Sequence, residues 1–402
     1  MYDYNIRMKN ILKIIESFLN ISKINFYADK IFVFIFIILI IIPVLNINLK
    51  KYSKVEKRKL AEFNSISDLE PWINDRFYPR LKLINLNHTL FYYINIRYPH
   101  YNKRVIDKKT KELFRYPQPP SYQKKFGEQK YQEFVESIKT SLIKFNSFCE
   151  ENNIKLYVLI LPEKESVHHP SIIINNNDKD ITDFIEDISN SKQLKVIFPL
   201  SDLQEKSKNE YMYFKTDHHL TNYGYYIALE KLIQTIQKDF PKIKLAQLSE
   251  FSISYNNKIN PGENSIFSNG SNCATVGLPE YICNNIIDTK YKYYEHKDSK
   301  NLHKKKLYNQ YLRFQYFDYP KGSDLKLLLI GNSHIEGMSL FLPYSFQHTL
   351  KIRLNGPPKI EPENQYKIIK NYKDEILKFK PNIIVICIGY DNVKRLTTLN
   401  DL

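Results

Sequence analysis

Three short apolar runs constrain the fold of this chain more than any other feature. Lys155–Leu161 (KLYVLIL) ends at Pro162, and Leu325–Ile330 (LKLLLI) and Ile383–Ile388 (IIVICI) are bounded by Gly, Asn or Pro. Runs of this length, apolar at nearly every position, read as strands buried on both faces. Lys195–Phe198 (KVIF) is a weaker fourth, while Lys130–Asn152 and Tyr223–Phe240 carry helical periodicity. Alternating strands and helices predict an α/β fold: a parallel sheet flanked by helices. There is no internal repeat.

Ahead of this pattern lies Ile31–Leu45 (IFVFIFIILIIIPVL), without a charge, which extends to Leu49 with only Asn46 and Asn48 added. About 19 residues make a helix of roughly 28 Å, the thickness of a hydrocarbon core. It reads as an N-terminal single transmembrane helix, since a core helix is rarely apolar on every side. Residues 1–30 precede it and no small-residue cleavage site follows, which argues against a cleaved signal. The predicted organisation is residues 1–30 as a cytoplasmic or membrane-surface segment, 31–49 as the anchor and 50–125 as a juxtamembrane wrap. Residues 126–402 form the main domain, with an irregular excursion at 251–321. Lys50, Lys51, Lys54, Lys57, Arg58 and Lys59 follow the span, so the positive-inside rule alone keeps the domain in the cytoplasm.

Two motifs carry chemistry. In Leu327–Glu336 (LLLIGNSHIE) an apolar strand runs into Gly331-Asn332-Ser333. A serine there sits at the carboxyl end of a parallel strand, where α/β folds place ligands; the competing reading is a helix N-cap serine. In Tyr213–Tyr225 (YFKTDHHLTNYGY) Asp217, His218 and His219 supply a carboxylate and imidazoles. A serine nucleophile needs a base, and the base an orienting carboxylate. In an extended segment residues two apart share a side, so Asp217 and His219 can cooperate while His218 points elsewhere. A surface loop and a metal site are the alternatives; no further ligand cluster lies nearby, and His168–His169 contribute only if the fold brings them in. His334 reads as structural.

Together the residues resemble the SGNH-hydrolase-like polysaccharide O-acetyltransferases of the alginate type, including relatives with an Asp-His-His-Trp signature. Four further pieces are similar to that family in order: Glu56–Phe63 (EKRKLAEF), Pro71–Leu81 (PWINDRFYPRL), Leu159–Val167 (LILPEKESV) and Pro381–Asn392 (PNIIVICIGYDN). Asn332 replaces the usual Asp, and Leu220 the signature Trp, losing one wall of the site. Gly389-Tyr390-Asp391-Asn392 is out of register with Gly-x-Asn-Asp. The resemblance implies Ser333 as nucleophile, His219 as base and Asp217 as its orienting carboxylate. The Ser333 N–H, with Asn392 or Tyr390, would form the oxyanion site. No cofactor or metal is implied.

The activity so implied is acetyl transfer to a cell-surface or secreted polysaccharide through an acetyl-serine. An esterase with water as acceptor and a non-catalytic glycan-binding subunit are the alternatives. The resemblance also implies a single-pass protein of the cytoplasmic membrane, its domain facing the periplasm or exterior, supplied by a membrane-bound acyltransferase. Long domains translocate largely regardless of flanking charge. In that setting Cys273 and Cys283 could pair, whereas Cys149 and Cys387 read as buried thiols.

The net charge of +16 suggests either an anionic partner or the codon usage of an AT-rich genome. It is local: residues 1–59 carry 11 Lys+Arg against 4 acids, residues 290–321 carry 9 against 3, and residues 60–289 are neutral. The first patch suits anionic lipid. In the second, Lys304, Lys305 and Lys306, with Arg353 downstream, are candidate ligands for an anionic glycan acceptor. The absence of a recognised module argues against nucleic acid.

Overall fold

The computed structural model describes residues 32, 51–53, 58–76, 83, 86, 104–106, 112–115, 127–168, 178–190, 193–215, 218–256, 291–308, 313–353, 374 and 376–401. The chain divides into two units, residues 1–96 with 271–280 and residues 97–270 with 281–402. The expected anchor at 31–49 lies, apart from Phe32, outside the described residues, as do Cys273 and Cys283. Among the described residues no helix is long and apolar enough to cross a membrane.

In the first unit, Tyr52–Ser53 pairs antiparallel with Arg58–Lys59, and Leu69–Arg76 is a helix. Two of the family-like segments meet here. Ala61 N donates to Asp75 Oδ2 at 2.7 Å, and Arg76 Nη1 donates to Ala61 O at 2.6 Å. Arg76 is buried, and its guanidinium lies over the Trp72 ring.

The second unit is built on its apolar strands. In chain order its elements are α1 (Glu128–Glu151), β1 (Lys155–Leu161), α2 (Lys164–His168), α3 (Asp178–Ser189), β2 (Val196–Ile197), α4 (Leu200–Ser207) and α5 (Asn222–Ile236). There follow β3 (Phe251–Asn256), β4 (Tyr291–His296), β5 (His303–Tyr308), β6 (Arg313–Asp318), β7 (Ser323–Gly331), α6 (Ile335–Met338), β8 (Phe346–Arg353), β9 (Ile383–Gly389) and a 3-10 helix at Tyr390–Asp401. The main sheet has the order β2-β1-β9-β7-β8-β6-β5. Its first five strands are parallel, while β6 and β5 add an antiparallel edge.

Alternation along each central strand feeds two separate cores. Tyr157, Leu159 and Leu161 of β1 and Ile383, Val385 and Cys387 of β9 enter one, beneath α4 and α5. Leu156, Val158 and Ile160, with Ile384, Ile386 and Ile388, enter the other, beneath α1, α3 and the terminal 3-10 helix. Helix α1 closes the second core with Tyr131, Val135, Ile138, Leu142, Phe145 and Cys149, a stripe at spacings of three and four. Each such side chain stabilises by about 1.5–3 kcal/mol, which favours this two-sided burial over an exposed sheet. Burial pushes the Cys149 thiol up to about 12, and Cys387 is likewise a buried free thiol.

The strands expected at Lys155–Leu161, Leu325–Ile330 and Ile383–Ile388 appear within a residue or two of those limits. The stretch 251–321 departs from the expected irregular excursion, because its described parts form four strands. Residues 97–125, expected in the juxtamembrane wrap, group with the second unit. There Arg104–Ile106 and Leu113–Arg115 pair antiparallel.

Candidate active site

Strand β7 runs up the middle of the sheet between β9 and β8 and stops at Gly331. A Cβ on Gly331 would lie 1.9 Å from Cys387 O and 2.6 Å from Ile335 Cγ2, so only glycine lets the chain turn here. Asn332 is buried and its Oδ1 accepts from His334 N at 3.2 Å, a bond that either an amide or a carboxylate oxygen can take. His334, not Ser333, occupies the N-cap of α6. The Ser333 hydroxyl is engaged elsewhere: its Oγ lies 2.8 Å from His219 Nε2. The N-cap reading of Ser333 is thereby set aside.

His219 arrives on a hairpin-like loop. Tyr213 and Leu220 form an antiparallel bridge, Phe214 N donates to His219 O and Thr221 N donates to Met212 O. Thr221 then caps α5, its Oγ1 accepting from Gly224 N at 3.1 Å. The loop is tied from below by Lys164, which is 2% exposed. Its Nζ donates to Phe214 O and Lys215 O, both at 2.8 Å, and pairs with Glu112 Oε2 at 3.3 Å. His168 Nδ1 lies 3.1 Å from the same carboxylate oxygen. Burial pulls the Glu112 carboxyl upward, but the Lys164 cation and His168 outweigh it and hold it below the ordinary 4.5. Sequence reasoning found Lys164 only as part of a Pro-x-Lys piece; its role as a clamp depends on carbonyls 50 residues away.

The other candidates divide. Asp217 lies outside the described residues. His218 does not point away: its ring centroid is 4.1 Å from that of His219 and 6.2 Å from that of His334. Leu220 is not an exposed remnant of a site wall; it is fully buried in the core beneath α5, with Leu161, Tyr213 and Leu229. The Tyr390 ring packs edge-on against Phe184 in the core beneath α1 and α3. Asn392 Nδ2 donates to Asp391 Oδ1 at 2.6 Å.

Lys304 and Lys305 are exposed on edge strand β5, three strands from β7, a separation of about 14 Å. Through β6 and β8 they align with Leu327 and Leu328, short of the level of Gly331, and Lys306 follows at the level of Leu329. They are therefore not first contacts of a group bound at Ser333. Arg353 is brought in: it pairs in register with Gly331, and its Nη1 lies 3.5 Å from Glu336 Oε1. Lys351, buried two residues earlier, donates to Glu336 Oε2 at 2.6 Å. Among the described residues no group of three or more His, Cys, Asp or Glu is arranged to hold a metal ion. A groove of about 840 Å³ opens near the other end of β7, around Tyr319, Ser323 and Tyr344, and holds none of the motif residues.

A hydroxyl on an imidazole Nε2, half-buried at the carboxyl end of a parallel sheet, is an arrangement suited to nucleophilic acyl chemistry. Residues 122–265 match the family model described as the SGNH hydrolase-like domain of the acetyltransferase AlgX. That span includes Lys164 and His219 and ends before Ser333. Among solved structures the chain is similar to PatB1 of Bacillus cereus at 16% identity, covering 72% of this chain and 96% of that one, with a TM-score of 0.50. It is also similar to a DHHW family protein from Eubacterium siraeum at 13% identity (66% and 88% covered, TM-score 0.46). A third is the O-acetyltransferase domain of Pseudomonas putida AlgJ at 12% identity (74% and 94% covered, TM-score 0.45). No curated protein matches at a significant level. The resemblance read from the two motifs agrees with this match, which covers residues 122–265 and not the whole chain.

Proposed function

We propose that this chain is an O-acyltransferase that moves acetyl groups from a donor ester to hydroxyls of a cell-surface or secreted polysaccharide. The observation that carries the reading is the 2.8 Å contact between Ser333 Oγ and His219 Nε2. In the first half-reaction Ser333 Oγ attacks the donor carbonyl as its proton passes to His219 Nε2. The C–O bond to the donor breaks, and the leaving oxygen takes that proton from the imidazolium. In the second, a glycan hydroxyl gives its proton to His219 and attacks the acetyl-serine, and Ser333 departs with the proton. In this reading Asp217 is the carboxylate that orients His219. The Ser333 N–H is assigned to the tetrahedral oxyanion, with Asn392 as the candidate second donor.

Arg353 sits beside the turn, and the exposed Lys304 and Lys305 can act on an anionic glycan only at a distance. The chain is held in the cytoplasmic membrane by residues 31–49, its domain outside, and receives acetyl groups from a membrane-bound acyltransferase. The test is to incubate the full-length chain with p-nitrophenyl acetate and a glycan oligosaccharide, then weigh the products. Acetylated glycan that disappears in Ser333→Ala and His219→Ala, each lowering kcat by about a thousandfold or more, supports transfer. Free acetate alone makes the chain an esterase, and no turnover makes it a non-catalytic subunit; either result overturns the proposal.

A further inference from the structure

The proposed reaction leaves one buried group beside the reacting pair without a role. His334 directly follows the nucleophile and is 3% exposed. Its Nδ1 lies 3.0 Å from Tyr225 Oη, contributed by helix α5 from 109 residues away. Its ring centroid is 4.9 Å from that of His219, the planes inclined by 46°. We propose that His334, fixed by Tyr225, is a positioning residue that sets the plane of the His219 imidazole against Ser333 Oγ. The inference rests on the reading of Ser333 and His219 as the reacting pair.

Two glycines are fitted around this Tyr–His unit. A Cβ on Gly337 would lie 2.0 Å from the Tyr225 ring, so helix α6 admits that ring only because residue 337 has no side chain. A Cβ on Gly389, at the end of β9, would lie 2.8 Å from His334 Nε2 and 2.9 Å from Asp391 Oδ1. The His334 imidazole is therefore bordered on its Nδ1 side by Tyr225 and along its Nε2 edge by the Gly389 turn, while the backbone N–H of His334 donates to Asn332 Oδ1. A residue that merely filled the core would be apolar, since a buried imidazole needs partners that Leu or Phe would not.

The need for such a wall follows from the base itself. The hairpin fixes the His219 backbone, yet the imidazole still turns about two side-chain torsions. His218, whose ring centroid is 4.1 Å from that of His219, is half-exposed and lies on the same loop, whereas His334 is buried. His334 comes from the sheet side and is anchored to α5 and the end of β9, elements that pack in the core. A reacting group displaced by about 1 Å loses roughly a hundredfold in rate, so a rigid neighbour has catalytic value without touching substrate.

The test compares full-length His334→Ala, His334→Phe and Tyr225→Phe in p-nitrophenyl acetate turnover, with active sites counted by the acetyl-serine burst and folding followed by thermal melting. His334→Ala should lower kcat per active site by about 30- to 100-fold, with KM within about twofold. His334→Phe restores a flat ring and should recover part of that loss. Tyr225→Phe removes one hydroxyl, keeps the ring over Gly337, and should lower kcat by about 3- to 10-fold at unchanged KM. A purely structural role predicts lower melting temperatures with kcat per active site within twofold of the parent in His334→Phe and Tyr225→Phe, and that result overturns the proposal. If Ser333→Ala itself retains full turnover, both this inference and the assigned reaction fall. If Ser333→Ala is inert while the His334 and Tyr225 variants are unaffected, only this inference does.

Discussion

The His219 loop is bordered by two buried polar arrangements that solve different problems. Below it, Glu112, Lys164 and His168 form an ion-pair cluster; behind it, Tyr225 and His334 form a hydrogen-bonded pair. Lys164 spends its donors on two backbone carbonyls, so the ion-pair cluster fixes the path of the chain. The Tyr–His pair touches a ring, so it governs a side-chain angle. A buried charge is worth keeping only where every partner is present, and its loss is correspondingly severe. A single side-chain hydrogen bond is milder to lose.

This contrast can be broken by substitution. Lys164→Met should have the largest effect, about 3–5 kcal/mol of stability, because it leaves the Glu112 carboxylate buried and two carbonyls unpaired. Urea unfolding of Lys164→Met and of the double variant with Glu112→Gln measures it. The double variant should be the more stable of the two, and if it is not, the buried carboxylate is not what makes the loss severe.

Next in size is an acid effect. The folded pKa of Glu112 is depressed, so its contribution is present above the ordinary 4.5 and is lost as pH falls through the lowered folded value. The stability gap between the parent and Glu112→Gln, about 1–3 kcal/mol at pH 7, should therefore narrow as urea titrations move toward pH 3. A gap independent of pH would show that the carboxylate is not charged in place.

Tyr225→Phe should cost only about 1 kcal/mol in the same assay, so its larger mark is on kcat. The smallest change belongs to Lys304→Gln with Lys305→Gln, within about 0.5 kcal/mol, since both side chains are exposed. Any rise in their acceptor KM should vanish at high salt; one that persists would place them at the site after all.

How much of this was legible before the coordinates follows from the same distinction between local and distant causes. β1, β7 and β9 are apolar at almost every position because both of their faces are covered, and that pattern is visible in a single line of sequence. β5 and β6 (HKKKLY and RFQYFD) are not, because they form a sheet edge where polar and charged residues are tolerated and the alternation is diluted. Helix α4 has one fully buried residue, Leu203, too few to set a period.

At the site, Ser333 and His219 each sit in a short motif, so both were found although 114 residues separate them. Lys164, Tyr225 and His334 lie within the quoted segments too, but the role of each has no local signature, since it is defined by a partner in another element. Leu220 misled in the opposite sense: a substitution inside a motif suggested a change at the site, whereas its side chain belongs to the core.

The position of β9 in the sheet has a consequence for how the molecule comes into being. Among the described strands it is the last in chain order, yet it lies between β1 and β7. Until it arrives, no strand ladder joins β1 and β2 to the other four strands of the main sheet. The loop bearing His219 is clamped by Lys164 just after β1, while Ser333 follows the end of β7, so the two side chains belong to halves that this one strand splices together. A nascent or prematurely terminated chain that stops before Ile383 carries both residues and no keystone between them.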